Sequence, residues 1–80
     1  MQIELLLFGI VKDVIGKSSM QLQTPENTTI ANFRASLLDK YPKLAAYKSF
    51  SIAVNETYVE DNYLIKENDT IAIIPPVSGG

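Results

Sequence analysis

Thr70-Ile71-Ala72-Ile73-Ile74-Pro75-Pro76-Val77-Ser78-Gly79-Gly80 joins an apolar strand pattern directly to two prolines and a Gly-Gly end. Ile71 and Ile73 fall on one face of the strand and Ala72 and Ile74 on the other, so the sheet it enters is apolar on both sides at this strand. Pro75 and Pro76 remove two backbone donors and fix φ, which ends the strand and predicts an extended tail over residues 75–80. At about 3.3 Å per residue that tail reaches roughly 20 Å from the domain, far enough to enter another protein's active site. Gly79 and Gly80 carry no Cβ and can pass a slot too narrow for other residues. The expected functional group is therefore the Gly80 carboxylate. A frayed terminus without a role is the competing reading, and a Pro-Pro pair placed directly after a strand speaks against it.

Working back from the tail, the rest of the chain supplies the body that carries it. Gln2 to Phe8 reads as a first strand, with Ile3, Leu5 and Leu7 on one face and Glu4, Leu6 and Phe8 on the other. Gly9 to Gly16 is bracketed by glycines and reads as a short helical turn or a long loop. Ser19 to Thr24 alternates again and can pair with the first strand as a hairpin. A threonine at 28 or 29 can cap a helix running to about Tyr41, whose apolar stripe is Ile30, Phe33, Leu37, Leu38 and Tyr41. Asn32, Arg34, Asp39 and Lys40 are expected to face water, and Pro42 stops the helix. Phe50 to Val54 is a third strand, Asn55-Glu56 a tight turn, Thr57 to Val59 a short fourth strand, and Glu67-Asn68-Asp69 a turn into the last.

This order predicts an α+β roll over residues 1–80, with a mixed sheet of about five strands and one main helix packed across it. A single helix covers one sheet face, while the first and last strands are apolar on both. Leu6, Phe8, Ala72 and Ile74, or the opposite register, are then candidates for an exposed patch that binds a protein, with Phe8, Leu6 and Ile74 as its anchors. The alternative is that the segment Ile10 to Ile15 covers this second face.

Composition narrows the chemistry. The 80 residues suit one domain near the lower size limit for an unassisted core, and the 46% hydrophobic content is enough to build one. No run approaches the roughly 20 apolar residues of a membrane span. The first residues lack the basic start of a signal peptide, so a cytoplasmic location is expected. A net charge of −2 without a basic cluster argues against nucleic acid. The chain has no Cys and no His, which removes thiolate nucleophiles, the usual acid/base group and the softer metal ligands. Catalysis by its own side chains is not expected, and no metal is.

The whole pattern resembles the small subunit of molybdopterin synthase, a ubiquitin-like sulfur carrier family with the β-grasp fold. Phe8-Gly9-Ile10-Val11-Lys12-Asp13-Val14-Ile15-Gly16 looks like the family's strand-end aromatic, small residue, basic-acidic pair and closing glycine. Ala53-Val54-Asn55, with Asn68-Asp69-Thr70 and the stretch through Gly80, reads like its closing strand and tail. Asn68 stands where the family usually has glycine, and asparagine tolerates the positive φ that such a turn needs. The resemblance implies that a separate, E1-like enzyme adenylates Gly80 with ATP and that a sulfur-donating enzyme supplies the sulfur of a Gly80 thiocarboxylate. The family's large subunit then receives the tail, and the sulfur passes to a pterin precursor in molybdenum cofactor synthesis. No cofactor is held tightly by the carrier itself, and the family's usual assembly is a heterotetramer. Along the tail, Pro75 and Pro76 limit the entropy lost on ordering, Val77 fills a pocket, Ser78 hydrogen-bonds, and Gly79 and Gly80 pass the narrowest point. Competing readings are a sulfur carrier for thiazole (thiamine) synthesis, a ubiquitin-like modifier joined to lysines, and a plain binding module that happens to end in Gly-Gly.

Overall fold

The computed structural model describes residues 1–47 and 50–76. The expectations for Val77, Ser78, Gly79 and Gly80 lie outside the described residues. The elements in chain order are β1 (Gln2–Leu7), α1 (Gly9–Ile15), β2 (Ser19–Gln23), α2 (Ile30–Lys40), a 3-10 segment (Pro42–Tyr47), β3 (Ser51–Val54), β4 (Thr57–Tyr58) and β5 (Thr70–Ile74). They form a five-stranded mixed sheet in the order β2-β1-β5-β3-β4, the β-grasp arrangement expected from the sequence. β1 and β5 run parallel at the centre, and the other pairings are antiparallel. A parallel pair cannot be closed by a hairpin, so the chain between the first and last strands forms the crossover.

Period-two alternation decides which side of each central strand is buried. Ile3, Leu5 and Leu7 of β1, Ile71 and Ile73 of β5, and Ile52 and Val54 of β3 all point into the core. Ile30, Phe33 and Leu37 of α2 meet them from the other side, with Leu38 and Tyr41 half-buried at the edge of the stripe. Each fully buried Ile, Leu or Val contributes about 1.5–3 kcal/mol through removal of its apolar surface from water. Thr29, rather than Thr28, is the α2 cap: its Oγ1 accepts from the Asn32 N–H at 3.2 Å. The Thr28 hydroxyl instead donates to the Pro25 carbonyl at 2.6 Å.

Among the described residues, Asn27, with φ of 64°, and two further turns use left-handed backbone at residues other than glycine. Asn55 and Glu56 have φ of 50° and 71°, the paired positive values of the tight turn between β3 and β4, and Asn68 has φ of 67° at the entry to β5. Asparagine at 68 thus does what the sequence comparison with glycine requires.

The structure corrects one expectation, excludes one alternative and completes a further expectation. Arg34 does not simply face water: it is half-buried, donates from Nη1 to the Phe50 carbonyl at 2.9 Å, and sits 4.9 Å from the centre of the Phe50 ring. It pins α2 to the start of β3. Second, Ile10 to Ile15 does not cover the outer sheet face. It is the helix α1, whose Val11 is wholly buried in the same core as α2. Finally, Pro42 ends α2 but leads into the 3-10 segment, which delivers Leu44 to the core with no exposed surface.

Candidate functional site

Among the described residues nothing covers the outer sheet face, which is divided into two halves. At one end Gln2, Glu4 and Gln21 make it polar, with Gln2 Nε2 donating to Gln21 Oε1 at 2.6 Å. At the other, Leu6, Phe8, Ala53, Tyr58, Ala72 and Ile74 line an open depression of about 470 Å³, with Asn55, Glu56 and Thr70 on its polar side.

Strand register explains the shape. Leu6 is paired with Ala72, Ala72 with Ala53, and Ala53 with Tyr58, so one row crosses β1, β5, β3 and β4. The row reads large, small, small, large. Two methyl groups form a floor, and Leu6 and Tyr58 form opposing walls. Phe8 and Ile74 close the end of the trough where β1 and β5, being parallel, both finish. Phe8 is 48% exposed and Tyr58 68%. Exposed aromatic and aliphatic surface of this kind, rimmed by polar groups, marks a protein-binding site more often than a solvated face.

The three anchors expected from the sequence, Leu6, Phe8 and Ile74, are therefore brought together on one face, as is Ala72. Pro75 is half-buried and Pro76 exposed at the same end, so this root of the tail lies beside the trough. Ala53 and Tyr58 are part of the site that sequence reasoning did not assign. The available signal was the Asn55-Glu56 turn, which folds Tyr58 back opposite Ala53.

A buried carboxylate holds the polar side of the trough in place. Asp69 is 5% exposed. Its Oδ1 accepts from Asn55 Nδ2 at 3.0 Å, and its Oδ2 accepts from the Tyr63 hydroxyl at 3.0 Å and the Lys66 N–H at 2.8 Å. Asn55 Oδ1 in turn accepts from the Thr70 N–H at 3.0 Å. This ties the β3–β4 turn, the Tyr63 loop and the start of β5 into one unit, with no buried cation among the described residues. Burial, followed by the hydrogen bond to Asp69 and the carboxylate's negative charge, raises the Tyr63 phenol above its ordinary pKa. Among the described residues no acidic cluster is arranged to hold a metal ion, and no helix is long and apolar enough to cross a membrane.

Comparison with known proteins places this geometry. The ThiS family model matches residues 5–80. A molybdopterin synthase sulfur carrier subunit from Dictyostelium discoideum is 42% identical over 83 residues, covering 99% of this chain and 96% of the relative. Among solved structures, the complex of subunits 1 and 2 of the molybdopterin-converting factor from Helicobacter pylori contains a chain that superposes with a TM-score of 0.71 at 26% identity, with both chains fully covered. The small archaeal modifier protein 1 from Methanosarcina acetivorans superposes with a TM-score of 0.76 at 27% identity, covering 99% of this chain and 96% of that one. The chain belongs to the ThiS family, alongside the molybdopterin synthase sulfur carrier subunits.

Proposed function

We propose that this chain is the sulfur carrier subunit of a molybdopterin synthase. The observation that carries the reading is the 42% identity to a named carrier subunit over essentially the whole of both chains. The apolar trough beside the root of the tail supports it, because a partner that draws in the tail must also cover that face.

The chemistry follows from what a carboxylate can and cannot do. It is a poor electrophile, so the Gly80 carboxylate attacks the α-phosphorus of ATP on an activating enzyme, releasing pyrophosphate and forming an acyl-adenylate. A persulfide on a donor protein then displaces AMP: a C–S bond forms and the C–O bond to AMP breaks, giving an acyl disulfide. A thiol attacks the donor-side sulfur and cleaves the S–S bond, leaving the Gly80 thiocarboxylate and a disulfide between thiol and donor. In the large subunit the sulfur is transferred to a pterin precursor, and water restores the carboxylate. The large subunit supplies the catalytic side chains, consistent with a carrier that has neither His nor Cys. Leu6, Phe8 and Ile74, with the Ala53 and Ala72 floor, dock the body. Pro75, Pro76, Val77, Ser78 and Gly79 thread the channel, and Gly80 presents the sulfur.

The test is Gly79→Ala. Transfer of sulfur from the preformed thiocarboxylate to the large subunit is expected to fall at least about tenfold, with an unchanged melting temperature. Normal transfer would contradict threading. The likeness to an archaeal modifier protein favours one second reading, conjugation to lysine through the same adenylate. The stable product separates the two, a terminal thiocarboxylate for the carrier or an isopeptide for the modifier.

A further inference from the structure

Gly9 lies at the junction of β1 and α1 with φ of +56°, and it faces the root of the tail. A Cβ placed on Gly9 would stand 2.9 Å from Pro75 Cγ and 3.7 Å from Pro75 Cδ. The first distance is shorter than real Cβ contacts allow. The proline ring is closed on its own backbone and cannot swing aside as a flexible side chain would. Pro75 therefore sits in the space that the missing side chain of Gly9 leaves open.

The parts flanking this contact differ in their freedom to move. Val11, two residues after Gly9, is wholly buried, so α1 cannot shift without opening the core. Ile73, two residues before Pro75, is also wholly buried and pins β5. Pro75 is half-buried and Pro76 beside it is exposed. Pressure at the Gly9 position is relieved most cheaply by tilting the chain from Pro75 onward. Two prolines in sequence transmit a tilt rather than absorb it. For a tail drawn out to roughly 17 Å, a tilt of about 10° at the root moves the far end by about 3 Å, the difference between a reacting and a non-reacting distance.

We propose that Gly9 is a positioning residue for sulfur transfer: by lacking a side chain it seats Pro75 and so sets the direction in which the tail leaves the domain. This rests on the sulfur-carrier reading. It assigns to the β1–α1 junction a role separate from the trough, because Gly9 acts on the tail and not on the partner's surface.

The experiment uses the full chain carrying Gly9→Asn, since asparagine accepts a positive φ while adding the Cβ. Two readouts are taken. Hα–Cα residual dipolar couplings of Pro75 and Pro76, measured against those of β5, report the tail root without any partner. The rate of transfer from preformed thiocarboxylate to the large subunit reports the consequence. Gly9→Asn is expected to change the Pro75 and Pro76 couplings, to lower kcat about tenfold or more, and to leave KM nearly unchanged. In a Pro75→Ala background, which removes the atoms that would clash, the further effect of Gly9→Asn is expected to shrink below about twofold. If Gly9→Asn fails to fold, Pro75→Ala alone empties the seat with β5 intact, and the couplings at Pro76 are expected to average towards zero. Unchanged couplings overturn the seat, and changed couplings with normal kcat overturn the positioning role. An equal loss in both backgrounds assigns the effect to the junction itself and also overturns it. A wild-type chain that passes no sulfur to any large subunit overturns the functional reading instead, while the couplings still report whether the seat exists.

Discussion

Ala53 and Ala72 stand directly opposite each other across β3 and β5, and their two methyl groups form the floor of the trough between Leu6 and Tyr58. A sheet face bearing two larger residues there would be nearly flat. The alanines make it concave, which suits a partner that inserts a large apolar side chain.

Filling the floor should therefore block docking without harming the fold. Ala72→Phe points away from the core, so the melting temperature is expected to stay within a few degrees of wild type, about 0.5 kcal/mol of stability. Affinity for the large subunit, measured by titration calorimetry, is expected to drop at least about tenfold. Unaltered affinity would move the interface elsewhere.

Phe8 offers a sharper separation of docking from folding. It is the N-cap residue of α1, has extended backbone angles and makes no side-chain capping bond. Aspartate is among the preferred residues at such a cap and can gain about 0.5–2 kcal/mol there. Phe8→Asp is thus expected to keep or raise the melting temperature while placing a charge in the apolar trough and weakening large-subunit binding. Unfolding of this variant would show that Phe8 serves the core.

The Asp69 network gives a graded stability prediction. Tyr63→Phe removes one hydrogen bond and is expected to cost about 1 kcal/mol, or about 4–8 °C in a domain of this size. Asp69→Ala leaves the Asn55 amide, the Tyr63 hydroxyl and the Lys66 N–H without their acceptor, and a larger loss of about 3 kcal/mol is expected by denaturant titration. Equal effects of the two changes would argue against a shared hub.

The same network predicts the sign of an alkaline effect. Because the Tyr63 phenol is raised in the folded state, its contribution is fully present below the ordinary phenol pKa of about 10 and is lost as pH climbs through the folded value. Stability followed by urea unfolding should fall above about pH 10, and Tyr63→Phe should remove this component of the slope. An absorbance titration of the tyrosines should show one that ionises late in wild type and not in the variant.

Much of this molecule was legible in its sequence because its central elements are strictly periodic. Ile3, Leu5 and Leu7, and then Ile71 and Ile73, can only alternate into one core, and Ile30, Phe33 and Leu37 can only form one helical stripe. The doubly apolar character of β1 and β5 likewise exposed the outer patch at Leu6, Phe8 and Ile74. What stayed hidden depends on partners distant in the chain. Arg34 reads as solvent-facing until Phe50, 16 residues away, supplies a carbonyl and a ring. Asp69 reads as an ordinary turn residue, and nothing local announces Asn55, 14 residues earlier, as its partner. Gly9 reads as a helix boundary, and only the fold brings Pro75 against it.

The central claim, that Gly80 carries sulfur, is tested most directly by the intact mass of the chain after incubation with ATP, an activating enzyme of this family and a sulfur donor, with fragmentation to locate any change. The expected result is replacement of one oxygen by one sulfur, confined to Gly80 and dependent on ATP. A terminus that stays unmodified under conditions where a known carrier is converted would contradict the account, as would isopeptide conjugates through Gly80 in place of the thiocarboxylate.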